Sequence, residues 1–72
     1  MNTLLAQLTN LILSGKMNNK VFYIDQIPSR PDLCGVKCHY LSNSSEGIKF
    51  VNEITNEIEV VGHDVECKIA VK

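Results

Sequence analysis

The spacing of apolar residues changes character partway along this chain. Between residues 3 and 14 the apolar positions Leu4, Leu5, Leu8, Leu11 and Ile12 recur at the three- and four-residue spacing of one helical face, which predicts a helix. Asn2 or Thr3 can accept hydrogen bonds from the first-turn amides, and Gly15 can take the left-handed conformation that ends a helix. Leu13 lies off the main stripe and widens the apolar face. Such a face predicts burial against a sheet, with packing on a second copy of the chain as its other meaning. Lys16 to Lys20 is a polar connector that turns at Asn18-Asn19.

From there the pattern is that of strands. Residues 20–27 are β-branched and aromatic, apolar at both parities until Asp25, and Pro28 ends them. Residues 28–35 form a loop stiffened by Pro28 and Pro31. The next strand, 36–41, places Val36, Cys38 and Tyr40 on one face and Lys37 and His39 on the other. Residues 44–56 admit a second helix, because Phe50, Val51, Ile54, Ile58 and Val61 cluster on one side of a helical wheel.

A hairpin accounts for more. Strands 47–53 and 57–62, joined by Ile54-Thr55-Asn56 with Asn56 left-handed, pair Glu53 with Glu57, Asn52 with Ile58 and Phe50 with Val60. A His63-Asp64 turn then sets Val60 opposite Cys67, Ile58 opposite Ile69 and Glu59 opposite Lys68 in a last strand over 65–71. This register gathers Ile48, Phe50, Ile58, Val60, Val65, Cys67, Ile69 and Val71 on one sheet face. It sends Lys49, Glu53, Glu57 and Glu59, with Val51 and Val61, to the other. The expectation is an α+β fold: one N-terminal helix packed on an antiparallel sheet of about five strands, in a single domain over residues 1–72. A second helix at 44–56 is the alternative.

Length and charge narrow the function classes. A chain of 72 residues buries only ~60% of its unfolded surface, which leaves few side chains to build a deep catalytic cavity. With 44% hydrophobic and 21% charged residues the chain has the composition of a folded protein, not a disordered one. A net charge of −1 argues against direct nucleic-acid binding, which calls for a basic excess. Between Glu46 and Glu66 six acids (Glu46, Glu53, Glu57, Glu59, Asp64, Glu66) stand against Lys49 alone. That imbalance suits a basic protein surface better than a phosphate backbone, and its plainer reading is a solvated sheet face. The leucine-rich stretch from Leu4 to Leu13 has no basic region before it and no small-residue cleavage site after it. At ~10 residues it is too short to span a bilayer, so neither a targeting nor a membrane segment is expected. The three cysteines then predict reduced thiols in a cytoplasm.

Little of the chain reads as chemistry. Cys34, Cys38, His63 and Cys67 are the nearest approach to a zinc set, since thiolates and imidazoles are zinc ligands. Three residues separate the paired ligands where zinc knuckles favour two, and strand alternation parts Cys38 from His39. Cys67, His63 and Asp64 are close in sequence, but Cys67 is placed in the core and no nucleophile motif surrounds it. Gly15, Gly35, Gly47 and Gly62 sit at element ends rather than in a phosphate-cradling loop. No catalytic residue and no cofactor is expected. Arg30, the single arginine, lies between two prolines in a stiff loop, suited to gripping a partner or to pairing with Asp32.

The function expected is that of a small non-catalytic protein-binding module, an inhibitor or adaptor. It would act through an acidic sheet face (Glu53, Glu57, Glu59, Glu66) or through the loop of Arg30 and Asp32. A structural homo-oligomer, such as a homodimer, and a small Cys/His zinc module are the alternatives. Six lysines to one arginine, with many Asn and Ile residues, suit an AT-rich genome and hence a viral or mobile-element accessory protein.

Overall fold

The computed structural model describes residues 2–71; Met1 and Lys72, the ends of the predicted domain, lie outside the described residues. Helix α1 runs over Leu4–Leu13, and Thr3 is its N-cap, with Oγ1 accepting from the Ala6 amide at 3.3 Å. Five strands follow: β1 (Val21–Gln26), β2 (Lys37–Ser44), β3 (Gly47–Asn52), β4 (Glu57–Val61) and β5 (Lys68–Ala70). They form one antiparallel sheet in the order β4-β3-β2-β1-β5. The fold is therefore α+β, as the pattern predicts. No helix among the described residues is long and apolar enough to cross a membrane. The alternative helix at 44–56 does not form, because those residues end β2, turn at Ser45-Glu46 and continue as β3.

Strand alternation puts Phe22 and Ile24 of β1, Cys38 of β2 and Ile48 and Phe50 of β3 on one face, all fully buried. Leu4 and Leu8 of α1 close over them. Leu33 and Val36, from the loop between β1 and β2, complete the cover. Phe22 and Phe50 meet edge to face at the centre, with ring centroids 5.7 Å apart and planes at 73°.

Two predicted registers are corrected. β4 pairs with β3 as Asn52↔Glu57, Val51↔Ile58, Phe50↔Glu59, Lys49↔Val60 and Ile48↔Val61, not Glu53–Glu57, Asn52–Ile58 and Phe50–Val60. The loop holds one residue more than expected, Glu53 to Asn56. Its cause is the Asn52 side chain: Oδ1 accepts from the amides of Ile54 at 2.9 Å and Thr55 at 3.3 Å, while the Asn56 amide returns to the Asn52 carbonyl. Asn56 takes the expected left-handed conformation, φ 61°. A slip of one residue exchanges the faces of a strand. Val61 is therefore buried, Glu59 points to the core side, and Ile58 and Val60 face solvent.

The second correction concerns the last strand. It pairs with β1, as Tyr23↔Ala70, Ile24↔Ile69 and Gln26↔Lys68, so the predicted contacts of Val60 with Cys67, Ile58 with Ile69 and Glu59 with Lys68 do not exist. It spans Lys68–Ala70 rather than 65–71. After β4 the chain crosses to the far edge of the sheet beside the start of α1. There Leu4 N donates to Val65 O at 3.0 Å, Leu5 N donates to His63 O at 3.1 Å, and Cys67 N donates to Asn2 O at 2.9 Å. The first amides of a helix have no intrahelical acceptors, and this crossing supplies two of them.

Gln7 finishes the β5 edge. Its Oε1 accepts from Ile69 N at 3.0 Å and its Nε2 donates to Cys67 O at 2.7 Å, so one carboxamide does the bonding of a neighbouring strand. Gln7→Ala is expected to destabilise the protein by about 1–3 kcal/mol, because a part-buried donor and acceptor lose their partner together. Gln7→Glu keeps the shape but loses the donor, and should cost nearly as much. Urea titration gives the magnitude, and faster exchange of the Ile69 amide locates it.

Candidate functional site

The predicted acidic face is dispersed. Glu53 lies with Lys37, Lys49, Lys68 and Asp25 on the sheet face away from α1. Glu57 and Glu59 have the opposite parity on β4, and Glu66 is exposed in the crossing segment, where it bridges to Thr3. Three lysines against two acids make that outer face mixed in charge rather than acidic.

The structure does assemble Arg30, Asp32 and Glu59. Arg30 donates through Nε to Asp32 Oδ1 at 3.1 Å and through Nη2 to Asp32 Oδ2 at 3.0 Å, and Nη2 also reaches Glu59 Oε1 at 3.3 Å. The hydrogen bonds to Asp32 and then Glu59 raise the Arg30 pKa, and the same Arg30 contact holds the Asp32 carboxyl below its ordinary value. This cluster pins the β1–β2 loop against the core side of β4. On the outer face His39 Nδ1 lies 3.8 Å from Glu53 Oε1.

The candidate zinc residues stay apart. Cys38 is buried and donates its thiol to Val36 O at 3.6 Å, whereas Cys34 is exposed. His63 is hydrogen-bonded to the Asn43 side chain of β2, and Cys67 sits under Gln7. Among the described residues no three His, Cys, Asp or Glu side chains are grouped so as to hold a metal ion. Burial, with the charges of Glu53 and Glu59, pushes the Cys38 thiol up to about 12. Burial likewise raises Cys67, against a smaller opposing hydrogen bond from Gln7. Both thiols are held in the protonated form, which is neither nucleophile nor metal ligand. An open groove of about 490 Å³ lies beside β5, with Asn2, Gln7, Gln26 and Lys68 on its walls. Its amides can hydrogen-bond a polar chain, but Gln7 is already engaged in closing the sheet edge.

The feature that sequence reasoning missed is apolar. Among the described residues of the outer face no side chain is fully buried, and Val21, Val51, Ile58 and Val60 lie on it. Val21, His39, Val51 and Ile58 make a row across β1, β2, β3 and β4. Exposure grows toward the β4 edge, reaching 64% for Ile58 and 38% for Val60. Alternation alone assigns these two to the core, and the Asn52 turn is the one local sign that they belong outside. No family model, curated protein or solved structure matches the chain.

Proposed function

We propose that this chain is a small non-catalytic protein-binding module that works through the outer face of its sheet on the β4 side. The observation that carries the reading is the exposure of Ile58 and Val60 on a strand at the sheet edge, beside Val51 and the Val21–His39 row. Burying an aliphatic side chain of this size contributes about 1.5–3 kcal/mol, so two adjacent ones supply a contact centre. Lys49 and Glu53 border them and give the centre a polar rim. Binding here is driven by contact rather than by long-range attraction to a basic partner, since the face carries charges of both signs.

A reducing compartment such as the cytoplasm suits the module, because all three cysteines are free thiols. The stiff loop of Arg30 is the rival surface, but its guanidinium already serves Asp32 and Glu59.

Affinity capture with the full chain, compared with Ile58→Lys/Val60→Lys, tests the reading. Partners held by the parent protein should be lost or weakened at least tenfold in the variant, a change of about 1.4 kcal/mol or more. Folding should change little, since both side chains are surface residues. Retention of the same partners at equal affinity by both proteins would refute it, and loss on Arg30→Ala alone would move the site to the loop.

A further inference from the structure

The sheet has two edges, and the chain treats them differently. At β5 the Gln7 carboxamide occupies the place of a neighbouring strand. At β4 nothing of the kind occurs: among the described residues β4 pairs with β3 alone, and the register from Ile48↔Val61 to Asn52↔Glu57 is unbroken. Exposed edges are ordinarily blunted by lysine, proline, a bulge or a covering element. The sequence of β4, Glu57-Ile58-Glu59-Val60-Val61, has neither lysine nor proline, and the bulges of this sheet lie in the β2–β3 and β1–β5 pairs.

We propose that β4 pairs with β4 of a second copy, antiparallel about a two-fold axis at Glu59, joining two five-strand sheets into one. This rests on the reading of the β4 face as the binding surface and names its partner. The strand is self-complementary about that axis. Ile58 of one copy stands opposite Val60 of the other, twice over, and all four side chains lie on the outer face where they bury one another.

On the core side the two Glu59 carboxylates meet at the axis, an opposition of like charges. Arg30 offsets it. Its Nε and Nη2 are engaged with Asp32 and Glu59, but Nη1 makes no hydrogen bond among the described residues, so each guanidinium has donors left for the Glu59 opposite. A net charge of −1 per chain adds little repulsion between copies. Because Gln7 closes the β5 edge, association stops at two copies instead of growing into a filament.

Size-exclusion chromatography with light scattering, on the full chain from micromolar to millimolar concentration, should show a reversible monomer–dimer equilibrium. Ile58→Lys/Val60→Lys should raise the dissociation constant about a hundredfold or more, since two aliphatic contacts per copy are replaced by like charges. Ile12→Lys/Leu13→Lys, on the exposed end of α1, should leave the dimer intact. A second measurement is independent of those variants: in a Cys34→Ser background, Glu59→Cys should cross-link into dimers under oxidation, whereas Lys37→Cys should not.

A chain that stays monomeric throughout overturns the proposal. So does a dimer broken by the α1 variant but not the β4 variant, or equal cross-linking at positions 59 and 37. If the chain is monomeric and Ile58→Lys/Val60→Lys still releases a captured partner, self-pairing fails and the binding face stands. If neither dimer nor partner responds to those substitutions, both fail.

Discussion

Phe50→Ala should lower the midpoint of thermal unfolding by roughly 12–40 °C, taking 4–8 °C for each kcal/mol in a domain of this size. The expected loss is about 3–5 kcal/mol, the cost of emptying a phenylalanine site in a close-packed core. Phe50 is fully buried on β3, beneath α1 and edge to face with Phe22. Stability of about 0.05–0.15 kcal/mol per residue gives a 72-residue chain about 4–11 kcal/mol in all, so this one truncation removes about a quarter of it at the least. Phe50→Leu keeps most of the volume and should cost far less. A double-mutant cycle with Phe22→Leu isolates the ring–ring term, expected at about 0.5–1.5 kcal/mol. Circular-dichroism melts of Phe50→Ala and of the four proteins of the cycle test this. A Phe50→Ala protein that melts within a few degrees of the parent would mean that the aromatic pair is not the centre of the core.

Residues whose structure is decided locally were legible in the sequence. The spacing of Leu4 and Leu8, the Thr3 cap and Gly15 after the last turn delimit α1 without help from the rest of the chain. The strands likewise announce themselves, β1 by its β-branched and aromatic run and β2 by alternation, and the inward assignment of Val36 and Cys38 holds. What alternation cannot supply is the partner. Cys67 and Ile69 fit the core side whether they neighbour β4 or β1, so the pattern is satisfied by either pairing. The choice is made in three dimensions, by helix amides that need the carbonyls of His63 and Val65. That need draws the crossing segment past α1 to the β1 edge.

The candidate site was misread for a related reason. Its two central residues, Ile58 and Val60, changed faces because one side chain, Asn52, enlarged a turn by one residue. An Asn can accept from amides two and three residues on, so its place at the end of a strand pattern was a sign of the longer loop. Arg30 and Glu59 are 29 residues apart, and nothing in either local pattern couples them. Their contact follows from the corrected register, which turns Glu59 toward the loop.

Gly47→Ala tests that register directly, and it should leave the protein poorly folded. Gly47 opens β3 with φ +146°, a backbone conformation in which side-chain-bearing residues are strained by about 1–3 kcal/mol. Space is the harder constraint. A Cβ at Gly47 would collide with the carbonyl oxygen of Val61 and lie 2.7 Å from its carbonyl carbon and 3.1 Å from the Gly62 Cα. These are backbone atoms of β4 and its exit, so no side chain can swing aside. Relief requires parting β3 from β4 where Ile48 pairs with Val61. Overpacking adds about 1–3 kcal/mol, for a total of about 2–6 kcal/mol. Gly35→Ala is the control: φ there is +76° with nothing within 4 Å, so only the left-handed penalty of about 1–2 kcal/mol applies. Under the shifted register, in which Asn52 faces Ile58, Gly47 would lie opposite His63 rather than beside Val61, and the two alanine variants would have no reason to differ. Urea midpoints for both, with amide spectra to follow Ile48 and Val61, give the comparison. Equal losses at the two glycines would show that β3 and β4 do not meet as described.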